Sequence, residues 1–344
     1  MYHEYFAGTH YETGFHWGAR LARHGNFLLD NIGHPITKER LEFSAACVPS
    51  YQAYFPEILE EIQGLADGQR CDMAKLQAFL LSMYAMPPQP HCSCFAFSSG
   101  GQVLLGRNSD FLPGLQKYSM NVTYRFPSGA CSFTGNTTAF VEMEDGVNAH
   151  GLAVGLTSVY PPAVKPGMNG GMLLRYFLER CKTTRDVLES VRSLPISSAQ
   201  TFTVADASGE IAVVECCSEG VEILRPEENR PYVCAVNTFH GPSLGQWKDT
   251  ERDDWHSERR YQTMTDVLAR IGTEMTLEKA KALLSGRYGF LCQYDRKSGK
   301  DTIWSVIYDL KNRQVFRAEG NPARCKFRED GPGENSCHLA GNLL

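Results

Sequence analysis

Apolar positions recur at helical spacing through the first quarter of the chain and at short, β-type spacing after it. Residues 1 to about 86 are rich in helix formers. The run Pro56-Glu-Ile-Leu-Glu-Glu-Ile-Gln-Gly-Leu-Ala66 predicts a helix, with Pro56 suited to a first turn and Gly64 a weak interior interruption. Met86-Pro-Pro-Gln-Pro-His91 then removes amide donors and fixes φ, so it reads as an extended, exposed linker. Past it, Ser93–Phe97, Gln102–Leu105 and Asn121–Phe126 are strand-like and are separated by Gly-Gly and Pro-Ser-Gly turns, with strands dominating to about residue 160. Residues 171–193 return to helical spacing. Gln200–Asp206 and Ile211–Cys216 are strands joined through Ala207-Ser-Gly209, and Tyr261–Leu284 is helical again. Thr302–Asp309 and Gln314–Ala318 read as a hairpin across Leu310–Arg313, and residues beyond about 322 read as a loose tail. Strand blocks interleaved with helix pairs predict an α+β architecture, with antiparallel sheets sandwiched between helical layers.

Composition narrows the function. With 344 residues, 42% of them hydrophobic, the chain buries a large core as one big domain or two small ones. The net charge of -5 comes from mixed signs without a basic run, which argues against a nucleic-acid partner. The start lacks a basic stretch leading into an apolar one, and no run of about 18 apolar residues occurs, so a soluble, cytoplasmic protein without membrane partners is expected. The 12 cysteines are scattered, so most should be reduced, buried and inert, Cys216 and Cys217 among them as strand-core residues. Without CxxC, HExxH or finger spacing no metal is expected, although Cys92 and Cys94 would share one face of a strand. GxGxxG, Walker A and repeats of 20 to 50 residues are also missing, which leaves nucleotide chemistry without a foothold.

The informative segment is His91-Cys-Ser-Cys-Phe-Ala-Phe-Ser-Ser-Gly-Gly-Gln-Val-Leu-Leu-Gly-Arg-Asn-Ser-Asp-Phe111. It reads as strand, tight turn, strand. A hairpin brings the first strand's start beside the second strand's end, so Cys92 should lie near Arg107 and Asp110. A nearby guanidinium favours thiolate over thiol and lowers a cysteine pKa, which is what a nucleophile needs. Taken alone, the same residues also suit a structural salt bridge and a core cysteine.

The segment resembles the choloylglycine hydrolase and penicillin acyltransferase branch of the Ntn-hydrolase superfamily, whose pattern is a Cys, a small polar residue, a hairpin and Gly-Arg-Asn-x-Asp; Cys92 with Gly106-Arg-Asn-Ser-Asp110 matches it. Taking Cys94 as nucleophile would shorten the hairpin by two residues relative to that pattern. Four further stretches look like the acyl-coenzyme A:6-aminopenicillanic acid acyltransferase family: Gly8–Gly18, Gly146–Thr157, Cys234–His240 and Ser257–Tyr261.

The resemblance implies a four-layer αββα Ntn-hydrolase sandwich, made as a precursor in which Cys92 Sγ attacks the His91 carbonyl. Residues 1–91 would form a helical pro-segment or small subunit, and 92–344 the catalytic part, together one globular unit. The free α-amine of Cys92 would then serve as base for its own thiol. By the same resemblance Asn237 supplies an oxyanion or amine-orienting amide, Thr157 contributes from its strand, and Arg107 and Asp110 frame the thiol. Arg259 or Arg260 closes the site, Arg260 being preferred, although the doublet also suits a solvated helix face. Asn148 is a further candidate, with the character of a polar residue in a Gly-flanked turn. The expected activity is hydrolysis of a small-molecule linear amide, or acyl transfer from a thioester, with no cofactor and an acyl-CoA as an optional co-substrate; the expected partners are that small-molecule substrate and, after cleavage, the two fragments for one another. Two other readings stand beside it: a non-catalytic, unprocessed scaffold, and a papain-like Cys-His hydrolase using His150 or His240.

Overall fold

The chain begins with a strand, β1 (Tyr2–Ala7), ahead of helix α1 (His10–Arg23), in a computed structural model. The structure describes residues 1–32, 35–86, 91–127, 129–248 and 255–330. Helix α1 starts in a capping box, with Thr9 and Glu12 each accepting the other's backbone amide. Helices α2 (Lys38–Tyr54), α3 (Pro56–Gln69) and α4 (Met73–Leu81) follow, with Pro56 in the first turn of α3. Apart from β1, the described part of the first 86 residues is helices and the loops that join them. In β1, Tyr2, Tyr5 and Phe6 favour a strand, but six residues are too few to show a period. Gly64 is more than an interruption. A Cβ there would lie 2.1 Å from the Tyr11 carbonyl oxygen, and one at Gly14 would lie 2.0 Å from the Glu61 carbonyl oxygen, so α1 and α3 touch backbone to backbone.

Strands β2 (His91–Ser99) and β3 (Gln102–Phe111) form the expected hairpin over Gly100 and Gly101, both at positive φ. Then come β4 (Met120–Arg125), β5 (Phe133–Thr137), β6 (Asp145–Asn148) and β7 (Leu152–Val159). The helical stretch at 171–193 is two helices, α5 (Gly170–Arg180) and α6 (Thr184–Ser190), because Thr183 and Asp186 open a new capping box. Strands β8 (Ala199–Asp206), β9 (Ile211–Cys217), β10 (Gly220–Leu224) and β11 (Tyr232–Ala235) precede α7 (Ser257–Ile271) and α8 (Leu277–Leu284). Those two helices part at Gly272, φ 55°, and Thr276 caps the second.

The hairpin of β12 (Asp301–Asp309) and β13 (Gln314–Ala318) is followed by β14 (Arg328–Glu329). The segment after 322 is thus no loose tail as far as residue 330: β14 pairs with β13, and Arg324 holds Asp301 with contacts of 2.7 and 2.6 Å. The part of that expectation covering 331–344 lies outside the described residues, as do Pro87–Pro90 of the expected linker.

The strands make an eight-stranded sheet, β1-β4-β5-β6-β7-β8-β9-β10, and a six-stranded sheet, β11-β2-β3-β12-β13-β14. All pairings are antiparallel except β1 with β4. Three apolar cores separate four layers. Trp17, Ile62, Phe177 and Val204 pack helices on the large sheet; Cys94, Leu105, Ala153 and Val213 fill the gap between sheets; Phe97, Leu104, Met264 and Leu283 pack α7 and α8 on the small sheet. This is the αββα sandwich. Alternation along β2 sends Cys94 and Ala96 into the gap between sheets and Phe95 and Phe97 to the helices, which puts Cys92 on the gap side.

Candidate active site

Cys92 sits at the start of β2, opposite Ser109 of β3, and is fully buried. Its Sγ accepts from Arg107 Nη2 at 2.8 Å. Arg107 is itself fully buried, and every edge of its guanidinium is engaged: Nε donates to the Leu156 carbonyl at 2.9 Å, Nη1 to Asp145 at 2.8 Å, and Nη2 also to Glu144 at 3.3 Å. Burial works against this cation, but Cys92, Asp145 and Glu144 outweigh it and hold its pKa above the ordinary value.

The thiol responds in the opposite way to the sequence expectation. Burial pushes the Cys92 pKa up to about 12, and Arg107 only partly offsets it while Glu144 and Asp110 add to the rise. At neutral pH the buried Cys92 side chain is therefore a protonated thiol.

The backbone of Cys92 is held as tightly as its side chain. Its amide donates to Asn237 Oδ1 at 2.9 Å, while Asn237 Nδ2 donates to the Ser158 carbonyl at 2.8 Å and the Asn237 amide donates to Ser257 Oγ at 3.0 Å. Arg260 Nη1 donates to the Cys92 carbonyl and, at 2.9 Å, to Ser93 Oγ; its Nη2 donates to Asn237 Oδ1 at 2.8 Å. Of the two arginines the structure brings Arg260 here. Arg259, one position round the helix, lies over the Phe290 ring 4.6 Å away. The turn into α7 aids this placement, because Trp255 and His256 both adopt left-handed φ, and the Trp255 carbonyl accepts from Arg260 Nε at 3.0 Å.

Asp110 is near the site but on the other face of the hairpin. Strand alternation puts Arg107 and Ser109 on the gap side with Cys92 and turns Asp110 towards the helices. There it accepts from Thr302 Oγ1 at 2.6 Å and Tyr294 at 2.9 Å, with Arg260 Nη1 3.7 Å away. Burial raises its pKa to about 6, against Arg260 and those hydrogen bonds. The carboxylates that share Arg107 with the thiol are instead Glu144 and Asp145, which sequence reasoning missed. Their signal was the acidic run Glu142-Met-Glu-Asp145 inside a region of strands.

Thr157 and Asn148 are not brought to the thiol. Thr157 Oγ1 lies 2.6 Å from Thr201 Oγ1 and donates to the Val236 carbonyl at 2.6 Å, so it fixes the residue before Asn237. Asn148 organises its turn, donating to the Leu178 and Cys181 carbonyls at 3.0 and 2.7 Å and accepting from the His150 and Leu152 amides. Cys94 faces the apolar gap, and burial raises its pKa to about 12. His240 stacks on Tyr261 at 3.6 Å, and its amide donates to Glu215. His91 was expected on an exposed linker; it is 4% exposed and stacks on Trp255 at 4.6 Å. Pairing of β2 with β3 begins at His91, and that is what buries it. Among the described residues no group of three or more His, Cys, Asp or Glu is arranged to hold a metal, and no helix is long and apolar enough to cross a membrane.

Comparison with known proteins adds to this geometry. The sequence model of the family described as acyl-coenzyme A:6-aminopenicillanic acid acyl-transferase matches residues 97–324, a span that holds Arg107, Asp110, Asn237 and Arg260 and begins after Cys92. No curated protein matches the sequence. Among solved structures, a variant of the conjugated bile acid hydrolase from Clostridium perfringens is similar at 14% identity with a TM-score of 0.53, over 73% of this chain and 95% of that one. An N-acylethanolamine-hydrolyzing acid amidase ortholog from Caenorhabditis elegans is 15% identical over 64% of this chain and 93% of that one, with a TM-score of 0.48. Penicillin V acylase from Agrobacterium tumefaciens is 16% identical over 66% and 83%, with a TM-score of 0.42. The likeness to the bile acid hydrolase is one of fold.

Proposed function

Because this chain belongs to the acyl-coenzyme A:6-aminopenicillanic acid acyl-transferase family, a group of Ntn amidohydrolases and acyltransferases, we propose that it is a self-processed cysteine enzyme acting on linear amides or thioesters through Cys92. The observation that carries this reading is the double grip on one residue: Arg107 on the sulfur and Asn237 on the nitrogen of Cys92, at 2.8 and 2.9 Å.

That grip has a chemical consequence on each side of cleavage. Before it, the nitrogen is an amide and cannot take a proton, and the buried thiol stays neutral. Attack of Sγ on the His91 carbonyl carbon, loss of the C–N bond with a proton passing to nitrogen, and hydrolysis of the thioester would leave a His91 carboxylate, a free Cys92 thiol and an α-amine. An α-amine has a reference pKa of about 8 and serves as base for the adjacent thiol. Asn237 Oδ1 accepts from the Cys92 nitrogen, so its role in this scheme is to orient the amine lone pair towards the thiol. Arg107 would stabilise the thiolate, and departure of His91 from its stack on Trp255 would open the approach to it. A substrate amide or thioester would then acylate Cys92, and water or an amine would release the acyl group. An acyl-CoA is a suitable donor for the transfer mode.

The test is to incubate the protein with a panel of acyl amides and acyl thioesters, quench in acid and weigh the polypeptide that carries residue 92, whether fragment or whole chain. A mass gain equal to the acyl group, lost in Cys92→Ala, is expected. Turnover of any member without adduct formation, undiminished in Cys92→Ala, would remove Cys92 from the chemistry.

A further inference from the structure

At one edge of the sandwich a buried cation is only half engaged. Arg317 of β13 is 3% exposed, and its Nη1 donates to Asp330 Oδ1 at 2.8 Å. Its Nε and Nη2 are buried and meet no acceptor among the described residues. Burying charged donors without partners is costly, and native proteins nearly always satisfy them with protein, water or a ligand.

The position of Arg317 follows from alternation. It shares a face of β13 with Val315, which packs in the gap between the sheets, so the guanidinium enters that gap near its open edge. There it lines a groove of about 600 Å³ with His3 and Asn121 from the eight-stranded sheet. That volume suits a small-molecule ligand. Nε and Nη2 form one edge of a planar fork, spaced to meet two oxygens of a single carboxylate or phosphate.

The charges around the groove agree. Lys326 and Arg328 line it and have no ion-pair partner among the described residues. The acid Glu319 is occupied by His3 at 2.7 Å, and Glu329 accepts from Gln314 at 2.8 Å. We infer that this groove is a second ligand site, separate from Cys92, for a small anion whose two oxygens take the Nε–Nη2 edge of Arg317 while Lys326 and Arg328 draw it in.

Isothermal titration with sodium acetate and, separately, with inorganic phosphate, at ionic strength matched with chloride, tests it. Saturable one-to-one binding of at least one anion is expected, unchanged in Cys92→Ala and weakened about tenfold or more in Arg317→Lys, which keeps the charge and loses the fork. The tighter of the two probes tells a carboxylate site from a phosphate site. No saturation by either anion, or equal affinity in Arg317→Lys, overturns the proposal. Should Arg317→Lys fail to fold by circular dichroism, the surface double variant Lys326→Ala/Arg328→Ala takes its place: weaker binding supports the site, and unchanged affinity overturns it.

Discussion

Replacing Gly64 by alanine should destabilise this protein, although the same change in an isolated helix stabilises by about 0.5–1 kcal/mol. The new Cβ would lie 2.1 Å from the Tyr11 carbonyl oxygen and 2.9 Å from the Phe15 amide nitrogen. Both are backbone atoms of α1, so no rotamer change relieves the overlap, and the helices must part by roughly 1 Å or more to restore an ordinary contact. Parting them also loosens the approaches at Gly14, Gly18 and Gly68, where a Cβ would come within 2.0, 2.5 and 2.4 Å of a carbonyl oxygen, and the packing of Trp17 and Leu65 behind them. Overpacking of this kind costs about 1–3 kcal/mol, and four coupled approaches argue for the upper end. Less the gain in helix propensity, the net loss is about 2 kcal/mol. Urea unfolding followed by circular dichroism, in a Cys92→Ala background that keeps the chain whole, measures it as a lower midpoint at unchanged slope. Gly114→Ala, where nothing lies within 4 Å, is the control. A Gly64→Ala protein as stable as its parent, or more so, would refute the argument.

Other consequences can be measured alongside. Asn237→Ala should slow self-cleavage or turnover by about a hundredfold or more, on the scale of losing one preorganised hydrogen-bonding group, whereas Arg259→Ala should leave both near the parent rate; single-turnover kinetics separates them. In the uncleaved chain iodoacetamide at pH 8 should spare Cys92 and, among the described cysteines, first modify the half-buried Cys71, Cys131 and Cys325, as read by peptide mapping. After cleavage the two fragments should elute together in native buffer, since β1 is paired with β4 and Arg175 grips Glu61 at 2.7 Å inside the core; separation without denaturant would contradict this. Glu215 has its carboxyl raised to about 7 by burial, with Glu222 adding to it and the His240 and Gly241 amides opposing. A folded pKa above the unfolded one means stability present below about pH 4.5 and lost as pH climbs towards 7, a loss of about 3 kcal/mol that Glu215→Gln should remove. Melting curves of both proteins across that range check it.

Much of the architecture was legible because periodicity reports burial directly. The hairpin from Ser93 to Leu105, the β8–β9 pair and the β12–β13 hairpin all had clear runs and turn residues. What escaped was set by contacts distant in sequence. β1 is a strand because β4 offers it an edge, and Arg324 with β14 binds the segment after 322 to β12 and β13. The gathering of Arg107, Asn237 and Arg260 around Cys92 followed the expected order of motifs, but the faces did not. Adding one residue to a strand reverses a side chain, so Asp110 left the thiol's side, and Asp145 of the other sheet with Glu144 just before its strand took up Arg107. The thiol pKa was misread for a related reason: a neighbouring arginine is visible in sequence, whereas complete burial is not.

Everything proposed for the chemistry depends on Cys92 becoming an N-terminal nucleophile. Intact mass spectrometry of freshly purified protein beside Cys92→Ala tests it most directly. Two fragments meeting between His91 and Cys92 are expected in the parent and one whole chain in the variant. A parent that stays whole through long incubation, with its original N-terminus, would contradict it.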